Sequence, residues 1–173
     1  MNQDGGALAP SVTIAKVSAD ADPILTNLFE HYLHDMAEWF RFDTRDDGRY
    51  GYDMSLHWSR GDQVFLARVG NALAGFAIAS SATKWLQPPD THDVAEFFVI
   101  RRYRRSGVGE ILATTIWNEI PGRWLVRVLE RNAPAIPFWR TIIAKYTHHT
   151  QVEERRIIND SAWAFFRFDN RRT

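Results

Sequence analysis

The sequence predicts a mixed α/β domain in which about seven strands, mostly antiparallel, form a sheet flanked by helices. Three observations predict this class. Two apolar runs, Gln63 to Val69 and Ala72 to Ser80, are separated only by Gly70-Asn71, a signal for a two-residue β-hairpin. Apolar residues recur at helical spacing after Pro23 and again after Val108. Just before Val108, another apolar run ends in a glycine-containing loop, which gives the order strand, loop, helix.

Length and composition favour one domain. The chain has 173 residues, 45% of them hydrophobic, which is enough for one buried core and too little for two full domains. We expect residues 11–173 to form this domain and residues 1–10 to be a flexible tail. Because there is no cysteine, disulfides and thiolate zinc sites are excluded, and the cytoplasm is the expected compartment. No apolar run is long enough for a membrane span, so no membrane association is predicted.

The charges are unevenly distributed although the net charge is zero. Residues 20–62 carry four arginines and ten acidic residues, whereas residues 101–173 carry fourteen basic and seven acidic residues. The basic part suits an anionic ligand and the acidic part a cationic one, while solvated surfaces are the alternative for both. Nucleic acid is not an expected partner, since the chain has only three lysines and its arginines cluster beside a glycine loop.

The first half begins with a short strand, Val12 to Val17, and a helix that Asp22-Pro23 opens. The polar face of this helix carries His31, His34, Asp35 and Glu38. Their spacing alone would allow a metal site, but these are mostly ordinary surface residues and no second ligand cluster accompanies them, so no metal is predicted. A polar loop at 41–53 and a short helix ending near Gly61 follow. Trp85, in a loop before two prolines, is expected to pack, with a substrate contact as the alternative.

The second half alternates strands and helices. A helix is expected from about Ala133, although Pro137 fits only if the helix effectively begins later. The last two strands are expected to form a hairpin around Asn159-Asp160. The predicted elements are a strand at His92 to Ile100, a helix from Val108 to Pro121-Gly122, a strand at Trp124 to Leu129, and strands at Thr147 to Ile157 and Ala162 to Phe168.

The glycine loop Arg104 to Gly109 is the strongest functional signal. Free N–H groups in the first turn of a helix bind phosphate, and glycine lets a ligand approach the backbone closely. A dinucleotide-binding fingerprint would need a third glycine where Leu112 stands, and a Walker loop would need Gly-Lys-Ser/Thr. Neither is present. A tight turn into a helix, without any ligand, is the alternative interpretation.

These residues resemble the acyl-CoA loop of the GCN5-related N-acetyltransferases (GNAT), whose pattern is Arg or Gln, two residues, Gly, one residue, Gly or Ala. Arg104, Gly107 and Gly109 match it. The run from Glu96 to Arg104 is similar to the family's fourth strand and loop, and Asn132-Ala133 with Phe138-Trp139 is similar to its later CoA-side helix. The resemblance is specific over about 92–146 and elsewhere rests on the order of elements. It implies the GNAT fold, acetyl-CoA as co-substrate, and an amine-bearing acceptor, cationic if the acidic first half faces it.

The resemblance also implies site residues. The loop would bind the pyrophosphate, the preceding strand would pair with the pantetheine arm, and the first helices would line the acceptor pocket. Asn132 would either make a polar contact to pantetheine or stabilise its own loop by hydrogen bonds. The alternative is that it is a plain helix N-cap. The remaining predicted coenzyme-binding residues are Phe98, Val99 and Ile100 on the strand and Arg104, Arg105, Ser106, Gly107, Val108 and Gly109 in the loop.

Acyl transfer from a thioester to an amine needs an anchored acyl-CoA, a neutral amine and stabilisation of the developing oxyanion. Glu96 is the carboxylate best placed to accept the amine proton, with a salt-bridged strand residue, or proton loss through water, as the alternatives. Relatives commonly use a tyrosine as the acid in a Phe-Tyr pair, where this chain has Phe138-Trp139. Since indole N–H is not an acid, either Tyr146 or another tyrosine substitutes, or CoA leaves as the thiolate.

We therefore predict an N-acetyltransferase that moves an acetyl group from acetyl-CoA directly, in a ternary complex, to an amine of a small molecule or a polypeptide. Two alternatives remain: a non-catalytic domain that binds or senses acyl-CoA, and an acyltransferase that uses a longer acyl chain. The sequence leaves the oligomeric state open, a homodimer included.

Overall fold

The computed structural model describes residues 11–81, 88 and 90–171. The predicted tail at 1–10 and Trp85 lie outside the described residues. A 3₁₀ turn at Arg101–Tyr103 leads into the glycine loop. The principal elements are β1 (Val12–Val17), α1 (Asp22–Phe40), α2 (Ser55–Arg60), β2 (Gln63–Val69), β3 (Ala72–Ser80), β4 (Thr91–Val99), α3 (Val108–Glu119), β5 (Arg123–Leu129), α4 (Ala135–Thr147), β6 (Val152–Ile158) and β7 (Ser161–Asp169). Among these helices, none is long and apolar enough to cross a bilayer.

All seven strands form one sheet in the order β1-β2-β3-β4-β5-β7-β6. Only β4 and β5 run parallel, and every other neighbouring pair is antiparallel. The predicted mixed, mostly antiparallel sheet is confirmed. The last hairpin turns at Asn159 and Asp160, whose φ angles of 46° and 58° are those of a tight turn that matches strand twist.

Helices cover both faces of the sheet. In β2, Val64 and Leu66 belong to the apolar cluster under α1, whereas Phe65 and Ala67 belong to the cluster under α3 and α4. This alternation follows from the two-residue period of a strand, and it explains why the central strands read as nearly continuous apolar runs. Face A, as we call it, is the α1 and α2 side, and face B is the α3 and α4 side.

One predicted boundary was wrong, and another moved as Pro137 required. α4 begins at Ala135, slightly after the predicted start near Ala133, which puts Pro137 in the first turn, where its missing N–H would have had no partner. The last residue of α4 is Thr147, and the C-cap residue His148 has a left-handed φ of 51°. The strand predicted from Thr147 therefore begins only at Val152.

The parallel strands β4 and β5 separate soon after they meet. Pairing is confined to Thr91–Asp93 with Arg123–Leu125. A bulge follows in β4, because Val94 pairs with Ala79 and Glu96 with Ile78, which leaves Ala95 as an extra residue. Beyond this point the edge of β4 that faces β5 is open, and Glu96 is the first residue after the bulge.

Candidate active site

The glycine loop presents free N–H groups at the end of β4. Gly107, at the N-cap of α3, has a left-handed φ of 86°, and Arg105 has a φ of 62°. The first bond of α3 runs from the Ile111 N–H to the Gly107 carbonyl, 3.0 Å away. The N–H groups of Val108, Gly109 and Glu110 precede it and so have no acceptor within the helix. This arrangement suits a phosphate group.

The two glycines of the loop serve different needs. A Cβ on Gly107 would meet no atom within 4 Å, so space lies open beside the backbone there, and the positive φ demands glycine. A Cβ on Gly109 would come within 3.0 Å of the Phe138 ring. Gly109 therefore lets α3 approach α4, whereas Gly107 leaves room at the surface that a pyrophosphate would occupy.

The two loop arginines also differ. Nε of Arg104 donates to the Val99 carbonyl at 2.8 Å, and its guanidinium binds the Asp35 carboxylate on α1. Arg101 pairs with the same carboxylate at 2.8 Å. Burial raises the pKa of Asp35, but the bonds from Arg104 and Arg101 outweigh it and leave the pKa lowered. Arg104 thus ties the loop to α1, and a phosphate contact by its side chain would require it to leave Asp35.

Arg105 is the loop arginine that is available to an anion. Its side chain is exposed and, within the described part of the chain, has no hydrogen bond or ion pair. Ser106 donates its hydroxyl to the Tyr103 carbonyl at 2.7 Å, which stabilises the turn. Of the strand residues, Phe98 packs on face A and Val99 on face B, while the N–H of Ile100 donates to the Ala74 carbonyl at 2.9 Å.

Glu96 lies on face A and has one tyrosine partner. Tyr32 in α1 donates its hydroxyl to Oε2 of Glu96 at 2.6 Å. Burial raises the pKa of Glu96 to about 7, against the lowering effects of the Tyr32 bond and of Arg127. Burial and the charge of Glu96 raise the pKa of Tyr32 well above its usual value, so Tyr32 stays a donor. A carboxylate with a pKa near neutrality is suited to accept a proton.

A buried ion pair joins β4 to β5 where the strands part. Nε of Arg127 lies 3.1 Å from Oδ2 of Asp93, and the Asp93 side chain has no exposed surface. Asp93 raises and Arg127 lowers the pKa of Glu96. The pair therefore links the two strands where their pairing ends and contributes to the electrostatic environment of Glu96.

A second hydrogen-bonded group lies beside α1. The Tyr52 hydroxyl is 2.9 Å from Nε2 of His57, and Nδ1 of His57 is 2.7 Å from Oδ2 of Asp62. His57 and Asp62 are buried, whereas Tyr52 is half-buried. The Tyr52 ring stacks on Phe29, with ring centres 4.5 Å apart.

The model of the Acetyltransferase (GNAT) family matches residues 32–142, which include the second half of α1, the glycine loop and the first half of α4. The chain belongs to the GNAT family. No curated protein sequence matches it.

Solved structures of GNAT acetyltransferases share the fold. A ribosomal-protein-alanine N-acetyltransferase from Brucella melitensis is 13% identical, with a TM-score of 0.64 over 91% of this chain and 99% of its own. The protein yncA from Salmonella typhimurium, solved with acetyl-CoA, is 14% identical, with a TM-score of 0.63 over 91% and 93%. The aminoglycoside acetyltransferase AAC(6')-Ib, solved with coenzyme A and kanamycin, is 14% identical, with a TM-score of 0.63 over 92% and 95%. The predicted coenzyme is thus the one that such neighbours hold.

The GNAT resemblance assigned a role to Asn132, and the alternative of a plain helix N-cap was wrong. The N-cap of α4 is Pro134, and no side chain caps this helix. Asn132 instead forms a turn, with its N–H donating to the Leu129 carbonyl at 2.9 Å and its carbonyl accepting from Ala135 at 3.0 Å. The contact of its side chain with the coenzyme stays a prediction.

The position of the usual GNAT acid is filled by a core residue. Trp139 is 6% exposed, and its ring lies 4.7 Å from that of Phe97. Tyr146 packs on Trp117 with ring centres 4.9 Å apart and donates its hydroxyl to Asn118 at 2.9 Å. Both residues serve packing between α3, α4 and face B of the sheet.

The polar face of α1 does not form a metal site. Asp35 is paired with arginines, and His34 Nδ1 lies 3.4 Å from the Tyr50 hydroxyl. Among the described residues, no group of three or more His, Cys, Asp or Glu side chains is arranged to hold a metal ion.

Sequence reasoning missed Tyr32, the Asp93–Arg127 pair and the group Tyr52, His57 and Asp62. Tyr32 fits the apolar helical spacing of α1, and its hydroxyl meets a residue 64 positions away, which spacing does not reveal. The one sequence signal that could point toward Tyr52 is the presence of Tyr50 and Tyr52 in the otherwise polar loop 41–53.

Proposed function

We propose that this GNAT domain transfers an acetyl group from acetyl-CoA to an amine of a small molecule or a polypeptide. The observation that carries the proposal is the position of Glu96. This carboxylate lies at the opening between β4 and β5, on the strand that leads into the glycine loop, and burial raises its pKa to about 7. A base close to a phosphate-binding loop is the combination that amine acylation requires.

When bound, acetyl-CoA supplies an acetyl group activated as a thioester. The N–H groups of Val108 and Gly109 and the free side chain of Arg105 would hold its pyrophosphate, with open space beside Gly107. The strand residues Phe98, Val99 and Ile100 would hold the pantetheine arm along the open edge of β4, and Asn132 would contact it from the turn after β5. Three aromatic rings, Phe97, Phe138 and Trp139, pack together on face B beside this strand, which supports acetyl over a longer acyl chain.

Glu96 would take one proton from the amine on face A. Burial chiefly raises its pKa, and the charges of Asp93 and Asp62 raise it further, against the lowering effects of Tyr32 and Arg127. Because the chain has no cysteine, a thiol acyl-enzyme is excluded, which favours direct attack by the amine in a ternary complex.

A second candidate is a domain that binds acyl-CoA without turnover. It is favoured by Trp139, which stands where relatives commonly have an acid and which is buried. The proposed transfer needs no acid at this position if CoA leaves as the thiolate.

Release of free CoA from acetyl-CoA distinguishes the two candidates. We expect release that depends on an added amine, within a panel of kanamycin, spermidine and a short peptide that begins with alanine. Initial rates at varied concentrations of both substrates should give intersecting lines, as a ternary complex requires. Tight binding of acetyl-CoA without amine-dependent release for a broad set of amines would contradict the transferase and support the binding domain.

A further inference from the structure

In the group formed by Tyr52, His57 and Asp62, the donor and the acceptor of each hydrogen bond can be assigned. A carboxylate only accepts hydrogen bonds, so the 2.7 Å contact of Asp62 with Nδ1 of His57 places a proton on Nδ1. In the neutral imidazole, Nε2 is then an acceptor. The Tyr52 hydroxyl, 2.9 Å from Nε2, must donate its proton to His57. Its oxygen lone pairs are left to accept a hydrogen bond from another molecule.

The arrangement is held firmly. His57 is 3% exposed and Asp62 is 8% exposed, so neither exchanges its partner readily for water. The N–H of Asp62 also donates to the His57 carbonyl at 3.0 Å, which closes the end of α2. The two residues therefore fix the imidazole in one orientation, and through it the hydroxyl of Tyr52.

Tyr52 lies next to the groups around Glu96. Its ring stacks on Phe29, and the ring of Tyr32 also contacts Phe29, with centres 5.5 Å apart. Tyr32 in turn donates to Glu96. Burial and the charge of Glu96 raise the pKa of Tyr52 to about 12, so its hydroxyl stays protonated at neutral pH. The contribution of Glu96 also means that the two side chains lie close enough to interact electrostatically. Tyr52 is half-buried, which leaves part of its ring accessible on face A.

We propose that Tyr52 binds the acceptor amine, with its oxygen accepting one N–H while Glu96 receives another, and that His57 and Asp62 are positioning residues that orient its hydroxyl. This inference rests on the proposed function. Two hydrogen-bond acceptors on one face would orient an amino group with its lone pair directed away from both, toward the thioester.

The kinetic test uses Tyr52→Phe and Asp62→Asn in the full chain with the best amine of the panel. Tyr52→Phe removes the accepting oxygen, so KM for the amine should rise up to about tenfold, the upper end of the effect of one hydrogen bond between neutral groups. In Asp62→Asn the carboxamide N–H can donate to Nδ1 of His57, so the imidazole proton moves to Nε2. Nε2 then donates to the Tyr52 oxygen, and the Tyr52 O–H points away from His57, so the oxygen can no longer accept a hydrogen bond from the amine as before. KM for the amine should rise similarly, while KM for acetyl-CoA stays unchanged.

The double variant separates positioning from a general structural effect. If Asp62 acts through Tyr52, Tyr52→Phe/Asp62→Asn should be no worse than Tyr52→Phe alone. Asp53→Asn, an exposed carboxylate beside Tyr52, is the matched control and should leave both KM values unchanged. Independent, multiplying effects of the two substitutions on KM would overturn the positioning role.

Nitrogen-15 NMR of His57 provides a readout that does not depend on turnover. In the neutral imidazole, Nδ1 should carry the proton and Nε2 should not. A proton on Nε2 would overturn the inference. Normal acetylation with an unchanged amine KM in Tyr52→Phe would overturn it while leaving the proposed function intact, whereas a wild-type chain that acetylates no amine would contradict both.

Discussion

The hydroxyl of Tyr32 donates a 2.6 Å hydrogen bond to Oε2 of Glu96 and so connects α1 to β4 at the bulge. The bond stabilises the ionised carboxylate, whereas burial favours the neutral one. The opposition of these two effects leaves the pKa of Glu96 at about 7, where a base is most useful at neutral pH.

Removal of the Tyr32 hydroxyl should make Glu96 a weaker acid. Tyr32→Phe takes away a bond that lowers the pKa of Glu96, so this pKa should rise and the acidic limb of kcat/KM should move to higher pH. A shift of about one to two units is expected, since a hydrogen bond to a charged group contributes about 1.5–3 kcal/mol and one unit is about 1.4 kcal/mol. Tyr50→Phe, which removes a hydroxyl near His34, is the control. A pH profile of kcat/KM that does not move in Tyr32→Phe would show that the bond is not made to the catalytic base.

Gly107→Val should weaken acetyl-CoA binding. The side chain would enter the open space where the pyrophosphate is proposed to lie, so the affinity measured by calorimetry should fall tenfold or more, about 1.4 kcal/mol. Gly48→Val is a matched control, because Gly48 also has a positive φ, 78°, and no atom within 4 Å of a Cβ. Both variants carry the same backbone strain. Equal affinities in the two folded variants would place the coenzyme elsewhere.

Gly109→Ala should destabilise the fold through Phe138. The new Cβ would lie 3.0 Å from the ring, so the ring must move by a few tenths of an ångström within the packed contact, and the free energy of unfolding in urea should fall by about 1 kcal/mol. Phe138→Leu removes the ring atoms in question, and in that background Gly109→Ala should be nearly neutral. A loss of the same size in both backgrounds would contradict this account of Gly109.

Trp139 and Tyr146 should matter for stability more than for turnover. Trp139→Phe removes buried volume and should lower the free energy of unfolding by about 1–3 kcal/mol. Tyr146→Phe removes the bond to Asn118 and should leave kcat largely intact, with CoA departing as thiolate or protonated by water. A hundredfold loss of kcat in folded Tyr146→Phe, with acetyl-CoA binding preserved, would make Tyr146 the acid.

The strand, glycine loop and helix around Gly107 could be predicted from the sequence because each has a local signal. Apolar periodicity shows which residues are buried on one element but not which polar groups from two elements meet. It therefore missed the bond between Tyr32 and Glu96 and the contact of Asp35 with Arg104, 69 positions apart.

Some of the charges that make the two halves of the sequence unequal form ion pairs with each other in the fold. Arg101 and Arg104, from the basic second half, pair with Asp35 from the acidic first half. Counting charged residues in the sequence could not show which of them form ion pairs within the fold and which, such as Arg105, are available to a ligand.

The most direct test of the account is the pH profile of Glu96→Gln, which keeps the shape of the side chain and removes the base. Wild-type kcat should fall below about pH 7 as Glu96 becomes protonated, since only the ionised carboxylate accepts a proton. At saturating substrates Glu96→Gln should be slower by about two orders of magnitude and should lose this acidic limb. Glu38→Gln, an exposed glutamate on α1, is the control and should keep both the rate and the limb. A near-normal rate with an unaltered profile in Glu96→Gln would contradict the account and assign Glu96 to structure.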